Sequence, residues 1–354
     1  MIDYKKSGVD IQAGDDLVSW LQQPAEKPHP GAHSKSTTSV TPSILKVKSD
    51  VPDIKSRVVS GIGGFAALFD GRFQNMQKPL LISCTDGVGT KVKVASHFGD
   101  FSTVGQDLVG MCANDLICTG GTPLFFLDYY AVEKLNLEHA QSFLTSIRNA
   151  CERSHMVLIG GETAEMPGVY QPGDFDCAGF SVGVVDQEKM WGAHRVQAND
   201  VVIGLESSGF HSNGFSLIRK VFAGEFDKYR QWLLEPTRLY VEAALHLKND
   251  FEIHAAAHMT GGGIDNLPRV LPEHLKAVLN KWELPECFRE VQKRSGLSDQ
   301  AMRETFNCGI GLTLIVPAGS ELKIIEKLRS LNYPAQVLGK ITSRMPEEAH
   351  VSWV

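Results

Sequence analysis

Apolar positions follow two rhythms along this chain, short continuous runs and a spacing of three and four, with glycine-rich turns between them. Segment 79–84 (PLLISC) is a continuous apolar run and predicts a buried strand entering a turn at TDGVGT. Segment 105–119 (GQDLVGMCANDLICT) predicts a helix stopped by Gly120, Gly121 and Pro123. Segment 124–132 (LFFLDYYAV), rich in aromatics, predicts a strand. Asn136 stands where it caps the next helix, because Leu137, Ala140, Leu144, Ile147 and Cys151 then share one helical face. Strands follow at 156–160 (MVLIG), which ends in GGETAEMPG, and at 178–185 (AGFSVGVV).

The polar stretch 186–200 reads as a boundary, and a second series begins after it. A strand at 201–205 leads through SSGFHSNG into a helix carrying Phe215, Leu217, Ile218, Val221 and Phe222. A TGGG turn opens a helix near 264–270, and a strand at 309–316, a helix at 321–331 and a strand at 336–342 complete the series. The pattern predicts an α/β (α+β) chain of two domains, 1–187 and 188–354, without an internal repeat. Residues 24–53 hold five prolines and many Ser/Thr with no apolar rhythm, and are expected to form an irregular insertion that adds little core.

Composition narrows the function classes. The 354 residues are 43% hydrophobic and 21% charged, which is ordinary for a globular chain with sizeable cores. A net charge of −6 gives no general attraction for nucleic acid or anionic membranes, so an anionic substrate needs a local cationic site. Seven scattered cysteines without a C-x-x-C pair exclude a disulfide framework or zinc site and fit a reducing compartment. The polar opening MIDYKKSGVD and the absence of any run of 18 apolar residues make a cytoplasmic protein, not a membrane one, the expectation.

The chemistry concentrates where acids stand beside glycines at element ends. Asp86 follows a strand, Asn114 and Asp115 lie near a helix C-terminus with Asp107 about two turns earlier, and Glu162 follows another strand in GGET. A carboxylate at the negative end of a helix dipole is unfavourable without a nearby cation, so Asp115 points to a metal. Hard oxygens of this kind suit Mg²⁺, which bridges carboxylates and nucleotide phosphates. Glycine segments at 61–64, 86–89, 260–263 and 307–311 can offer bare N–H groups to phosphates. In SSGFHSNG, between a strand and a helix, His211 adds a titratable group and Asn213 an amide. No P-loop motif occurs, and GIGGFA follows too poor a strand for a dinucleotide site.

Taken together, these strings resemble the phosphoribosylformylglycinamidine cyclo-ligase family. The match includes YKKSGVDIQAG at 4–14, GIGGFAALF at 61–69, TDGVGTK at 85–91 and CANDLICTGGTPLFFLDYYA at 112–131. It continues with LIGGETAEMPGVY at 158–170, SSGFHSNGFSLIRK at 207–220, EPTRLYV at 235–241, HMTGGGIDNLPRVLP at 258–272 and TFNCGIG at 305–311.

The resemblance implies a first domain that forms a shared β-barrel in a homodimer and a second domain with a sheet flanked by helices. It implies ATP-dependent closure of formylglycinamidine ribonucleotide to aminoimidazole ribonucleotide. Asp86, Asp107, Asp115 and Glu162 are then expected to serve Mg²⁺. Gly61, Gly63, Gly64, Asp86, Gly87, Lys91 and Asn114 are expected at the ATP. Ser208, Gly209, His211, Asn213, Gly261, Gly262 and Gly263 are expected at the ribonucleotide, with His211, Asn213 and Asp115 in catalytic roles. The family's usual N-terminal lysine is replaced here by Gln22, so Lys27, Lys35, Lys46 or Lys48 of the insertion is a candidate substitute near the ATP entrance. The competing reading is a catalytically weakened nucleotide-binding paralogue. The aromatics Phe125, Phe126, Tyr129 and Tyr130 are expected to offer an apolar face for dimerisation.

Overall fold

The computed structural model describes residues 11–23, 49–63 and 65–354. Most of the predicted insertion (24–48, with its four lysines), residues 4–10 of the first motif and Gly64 lie outside them.

The first half comprises α1 (Ile11–Leu21), a small hairpin of β1 (Val58–Ser60) and β2 (Leu68–Phe69), β3 (Pro79–Gly87), α2 (Val92–Phe98), α3 (Val104–Ile117), β4 (Thr122–Val132), α4 (Leu137–Arg153), β5 (Val157–Glu165) and β6 (Phe175–Asp186). Its four-stranded sheet runs β3-β6-β4-β5, antiparallel except for the β4–β5 pair. Asn136 does cap α4, accepting from the His139 N–H at 3.1 Å. The face of α4 bearing Ala140, Phe143, Leu144 and Ile147 is buried, at roughly 1.5–3 kcal/mol for each large side chain.

Two predicted loops are strand instead. TDG continues β3 because β6 pairs with it as far as Gly87↔Ala178, and GGETAE continues β5 because β4 pairs with it as far as Val132↔Glu165. Alternation then decides which face each side chain takes. Cys84 and Asp86 take the helix-covered face, whereas Leu81, with 72% of its surface exposed, takes the other. PLLISC is therefore not the buried strand expected. The four aromatics divide likewise: Phe126 and Tyr130 are buried under the helices, while Phe125 and Tyr129 lie half-buried on the uncovered face, alongside exposed Phe180.

The second half comprises β7 (Val201–Glu206), α5 (Phe215–Val221), α6 (Arg230–Leu234), α7 (Val241–Asp250), β8 (Ala255–His258), a 3₁₀ segment (Gly263–Val270), β9 (Leu275–Leu279), α8 (Glu286–Ser295), α9 (Asp299–Thr305), β10 (Ile310–Val316), α10 (Glu321–Ser330), β11 (Ala335–Ser343) and β12 (Val351–Trp353). Its six strands run β12-β9-β11-β7-β10-β8, and β12–β9 is the one parallel pair within this sheet among the described residues. The TGGG turn opens a 3₁₀ segment, not an α-helix, and Pro268 lies inside it.

One core joins the halves. It runs from Leu108 of α3 and Phe143 and Ile147 of α4 through Val241 and Leu245 of α7 to Ile203 of β7 and Leu314 of β10. Helix α3 is the shared member: it packs on β3 and β6 and also on α7 and β8. No helix among the described residues is long and apolar enough to cross a membrane.

Candidate active site at the domain junction

The N-terminal end of α3 is closed. Lys91 and Asp107 have 1% and 0% of their side chains exposed, and Nζ lies 2.9 Å from Oδ1 and 2.8 Å from Oδ2. Nζ also donates to the carbonyls of His211 (3.0 Å) and Glu235 (2.6 Å). Asp107 Oδ1 further accepts from Thr237 N (2.8 Å), Thr237 Oγ1 (2.7 Å) and Ser212 Oγ (3.1 Å). Burial draws the Lys91 ammonium below the usual lysine range and the Asp107 charge opposes it. These partners give both residues internal roles: Asp107 is the counter-ion of a buried lysine, and Lys91 directs its hydrogen bonds to groups within the protein.

The C-terminal end of α3 is open. Asn114 is fully buried; its Oδ1 accepts from Tyr240 N (2.9 Å) and its Nδ2 donates to Arg238 O (2.9 Å). Asp115 keeps 41% of its side chain exposed, and Oδ1 lies 2.8 Å from Nδ1 of His258, the last residue of β8. Asp86 faces the same corner from β3. Burial pushes its carboxyl above the usual range, with the Asp115 charge adding to the shift and His258 opposing it; Oδ1 accepts from Gly87 N at 2.7 Å. A cleft of about 270 Å³ opens beside Asp115 and His258, with Asn266 and Arg269 on its far wall.

The glycine-rich loops of the second half gather next to this corner. Asn213 is half-buried, lies against Gly261 and makes a long Nδ2 contact of 3.7 Å with Met111 Sδ of α3. Gly261 and Gly262 are exposed, whereas Gly263 is buried. At Gly263 (φ +51°) a Cβ would lie 2.0 Å from Arg303 O and 2.4 Å from Phe306 O, so packing here requires glycine. Asn307 braces the other loop: Nδ2 donates to Gly209 O (3.0 Å), and Oδ1 accepts from Ser207 Oγ (3.0 Å) and Gly309 N (2.8 Å). Ser208 Oγ donates to Pro236 O at 2.6 Å.

His211 does not open to the site, having only 1% of its surface exposed. Its Nε2 faces the N–H groups of Ser208 (3.3 Å) and Arg238 (3.4 Å), and Nδ1 is buried without a partner among the described residues. Burial holds the ring well below the usual histidine range, and the charges of His258, Lys91 and Arg238 act the same way. It organises the loop from beneath, while Asn213 reaches the surface.

Gly61, Gly63 and Glu162 fall elsewhere. Gly61 packs near Ile159 of β5, and Gln22 Nε2 donates to Ile62 O (3.2 Å) and touches Gly63. Glu162 pairs in register with Tyr129 and so lies on the uncovered face of the sheet, near the β5 edge. Asp86 belongs to β3, at the opposite edge and on the other face. Within one chain the expected nucleotide residues therefore form two groups.

Asp86 and Asp115 are the acids that fit a divalent cation. They are two hard carboxylates at one corner, and Mg²⁺ commonly takes one or two such groups with waters and phosphate oxygens as its other ligands. Among the described residues no three His, Cys, Asp or Glu side chains form a closed cage. Sequence reasoning passed over His258 and Glu235, although both belong to motifs it quoted; neither has a helical or strand periodicity that marks it, and only the junction of the two halves brings them to α3.

Comparison with known proteins agrees along almost the whole chain. A family model described as AIR synthase related protein, N-terminal domain, matches residues 66–185, and its C-terminal counterpart matches 197–352. The phosphoribosylformylglycinamidine cyclo-ligase of Carboxydothermus hydrogenoformans is 44% identical over 356 residues, covering 97% of this chain and 96% of the relative. That of Coxiella burnetii is 43% identical over 364 residues, covering 99% and 96%. Among solved structures, a thiamine-monophosphate kinase from Stenotrophomonas maltophilia has a TM-score of 0.61 at 18% identity, covering 85% of this chain and 94% of its own. Hydrogenase maturation protein HypE in complex with ATP has a TM-score of 0.60 at 15% identity, covering 83% and 82%. These two likenesses show the fold alone.

Proposed function

The chain belongs to the AIR synthase related family, and from that premise we propose that it is the ligase that closes the imidazole ring of aminoimidazole ribonucleotide in purine synthesis. ATP phosphorylates the formyl amide oxygen of formylglycinamidine ribonucleotide, so an O–P bond forms as the bond to ADP breaks. A nitrogen of the same substrate attacks that carbon, loses a proton, and phosphate leaves as the ring closes. The observation that carries this reading is the 44% identity over 97% of the chain with a relative of that name.

The residues suit such chemistry. Ring closure is intramolecular, so the protein chiefly has to hold the substrate folded and keep water out. Phosphoryl transfer needs positioning and charge neutralisation more than covalent help. Asp86 and Asp115 would hold Mg²⁺, which when bound would supply charge neutralisation for the nucleotide phosphates. Asn213, Ser208, Gly209, Gly261 and Gly262 contact the ribonucleotide, and His211 keeps their loop in place from below.

A homodimer completes the site. The uncovered face with Leu81 and Phe180 supports pairing of two first-half sheets into a shared barrel, and the edges of β3 and β5 are both unpaired among the described strands. A second copy would bring the Gly61–Gly63 loop and Glu162 of one chain toward the nucleotide corner of the other. Seven free cysteines support a cytoplasmic location. The weakened-paralogue reading draws on Gln22, whose amide binds Ile62 O where a lysine would bring charge.

The test is release of ADP and phosphate by the purified dimer. We expect turnover only when formylglycinamidine ribonucleotide, ATP and Mg²⁺ are all present. Nucleotide binding without ribonucleotide-dependent turnover would establish the paralogue reading instead.

A further inference from the structure

Helix α3 presents two consecutive polar side chains to one imidazole of the other domain. Asp115 Oδ1 lies 2.8 Å from His258 Nδ1, and Asn114 Nδ2 lies 3.3 Å from His258 Nε2. The ring is buried, with 2% of the side chain exposed. Its hydrogen-bonding state follows from a backbone group. Tyr240 N can only donate, so the Asn114 oxygen must face it, and the Arg238 carbonyl can only accept, so Nδ2 must face that. The remaining Nδ2 hydrogen therefore points at His258 Nε2. That nitrogen has to accept, which leaves the ring proton on Nδ1, aimed at Asp115.

We propose that His258 is a positioning residue: it translates the packing of the two domains into the placement of the Asp115 carboxylate, leaving Oδ2 free for the divalent cation. The chain of constraints starts at Arg238 and Tyr240, just before α7, passes through α3 and ends at the cleft, so the carboxylate is fixed only when both domains are docked. A metal-binding carboxylate held by such a partner typically loses about 10- to 100-fold in metal affinity when the partner is removed. The inference rests on Asp115 serving the cation, and the experiment below separates the two claims.

The ligand-free full-length protein, labelled with ¹⁵N at histidine, should show His258 with the proton on Nδ1 at pH 7.5. Binding of Mn²⁺ with a non-hydrolysable ATP analogue is then followed by electron paramagnetic resonance, without turnover. We expect His258→Ala to raise the Mn²⁺ concentration for half-saturation at least about tenfold. His258→Asn, whose amide can replace the Nδ1 donor, should recover most of that loss, although both variants melt at a similarly lowered temperature. In turnover, excess Mg²⁺ should restore kcat in His258→Ala while its apparent KM for Mg²⁺–ATP stays high. A proton on Nε2, or equal Mn²⁺ binding in His258→Ala and wild type while Asp115→Asn binds weakly, overturns the positioning role alone. Equal binding in Asp115→Asn and wild type removes the metal role of Asp115, and the proposal with it.

Discussion

Asp107 and Asp115 stand about two turns apart on α3, yet one is sealed in the protein and the other faces a cleft. At the sealed end every neighbour donates: a lysine, two hydroxyls and a backbone N–H converge on one carboxylate. At the open end, among the described residues, the imidazole of His258 is the one side-chain partner of Asp115, and a second acid, Asp86, stands close enough that the Asp115 charge adds to the upward shift of its own carboxyl. The same side-chain chemistry therefore stabilises the fold in one place and leaves a carboxylate facing the cleft in the other. What separates them is the number of donors supplied by the second domain.

The strongest way to break this contrast is at the sealed end. Lys91→Ala leaves a buried carboxylate without its cation and should cost roughly 3–5 kcal/mol, read as a lowered denaturant midpoint. The double change Lys91→Met with Asp107→Leu should recover much of it, since neither charge is then stranded.

Another buried acid, Asp128 of β4, sharpens the point because no cation among the described residues pairs with it. Burial pushes its carboxyl up to about 7. The folded state then binds a proton that the unfolded state releases near the usual value of 3.8, so stability is full below that value and falls as pH rises towards 7. The upper bound on that loss is about 4 kcal/mol. Urea unfolding between pH 4 and 8 should show the decline in wild type and a flatter profile in Asp128→Asn; identical slopes would falsify the assignment.

At the open end, Asp115→Asn should lower turnover about a hundredfold, equivalent to about 2.7 kcal/mol of barrier, at limiting Mg²⁺. Its melting temperature should stay close to wild type, because the exposed carboxylate supports little packing. The smallest effect is expected for Thr237→Val, which removes one hydroxyl donor to Asp107 and should cost about 1.5 kcal/mol in unfolding free energy with the KM values unchanged. A raised KM in that variant would show that the two ends are not independent.

Much of the fold was legible from periodicity. The α4 face, the α5 apolar positions and the β10 run all carry strong local signals, and each element formed where its pattern stood. The ends of β3 and β5 were not legible, since TDG and GGETAE look like turns and become strand only through pairing with distant partners. In the site, Asp86, Asn114, Asp115 and Asn213 were picked out by their place beside glycines, and the structure gathers them at one corner. Lys91, Asp107 and His211 stand in equally suggestive strings but turn inward, and Glu162 turns to the other face of the sheet. His258 drew no attention because a lone histidine at a strand end has no local mark.

By itself the sequence determined the order of elements, the two-part organisation and the family, because apolar rhythm and long motif strings are local and survive reading one residue at a time. Only the tertiary structure decided which carboxylate faces water and which faces an ammonium. That choice depends on donors from Ser212, Thr237 and His258 meeting α3 across the domain junction, and a side chain's electrostatic role is set by the groups within a few ångströms of it, whatever their distance along the chain.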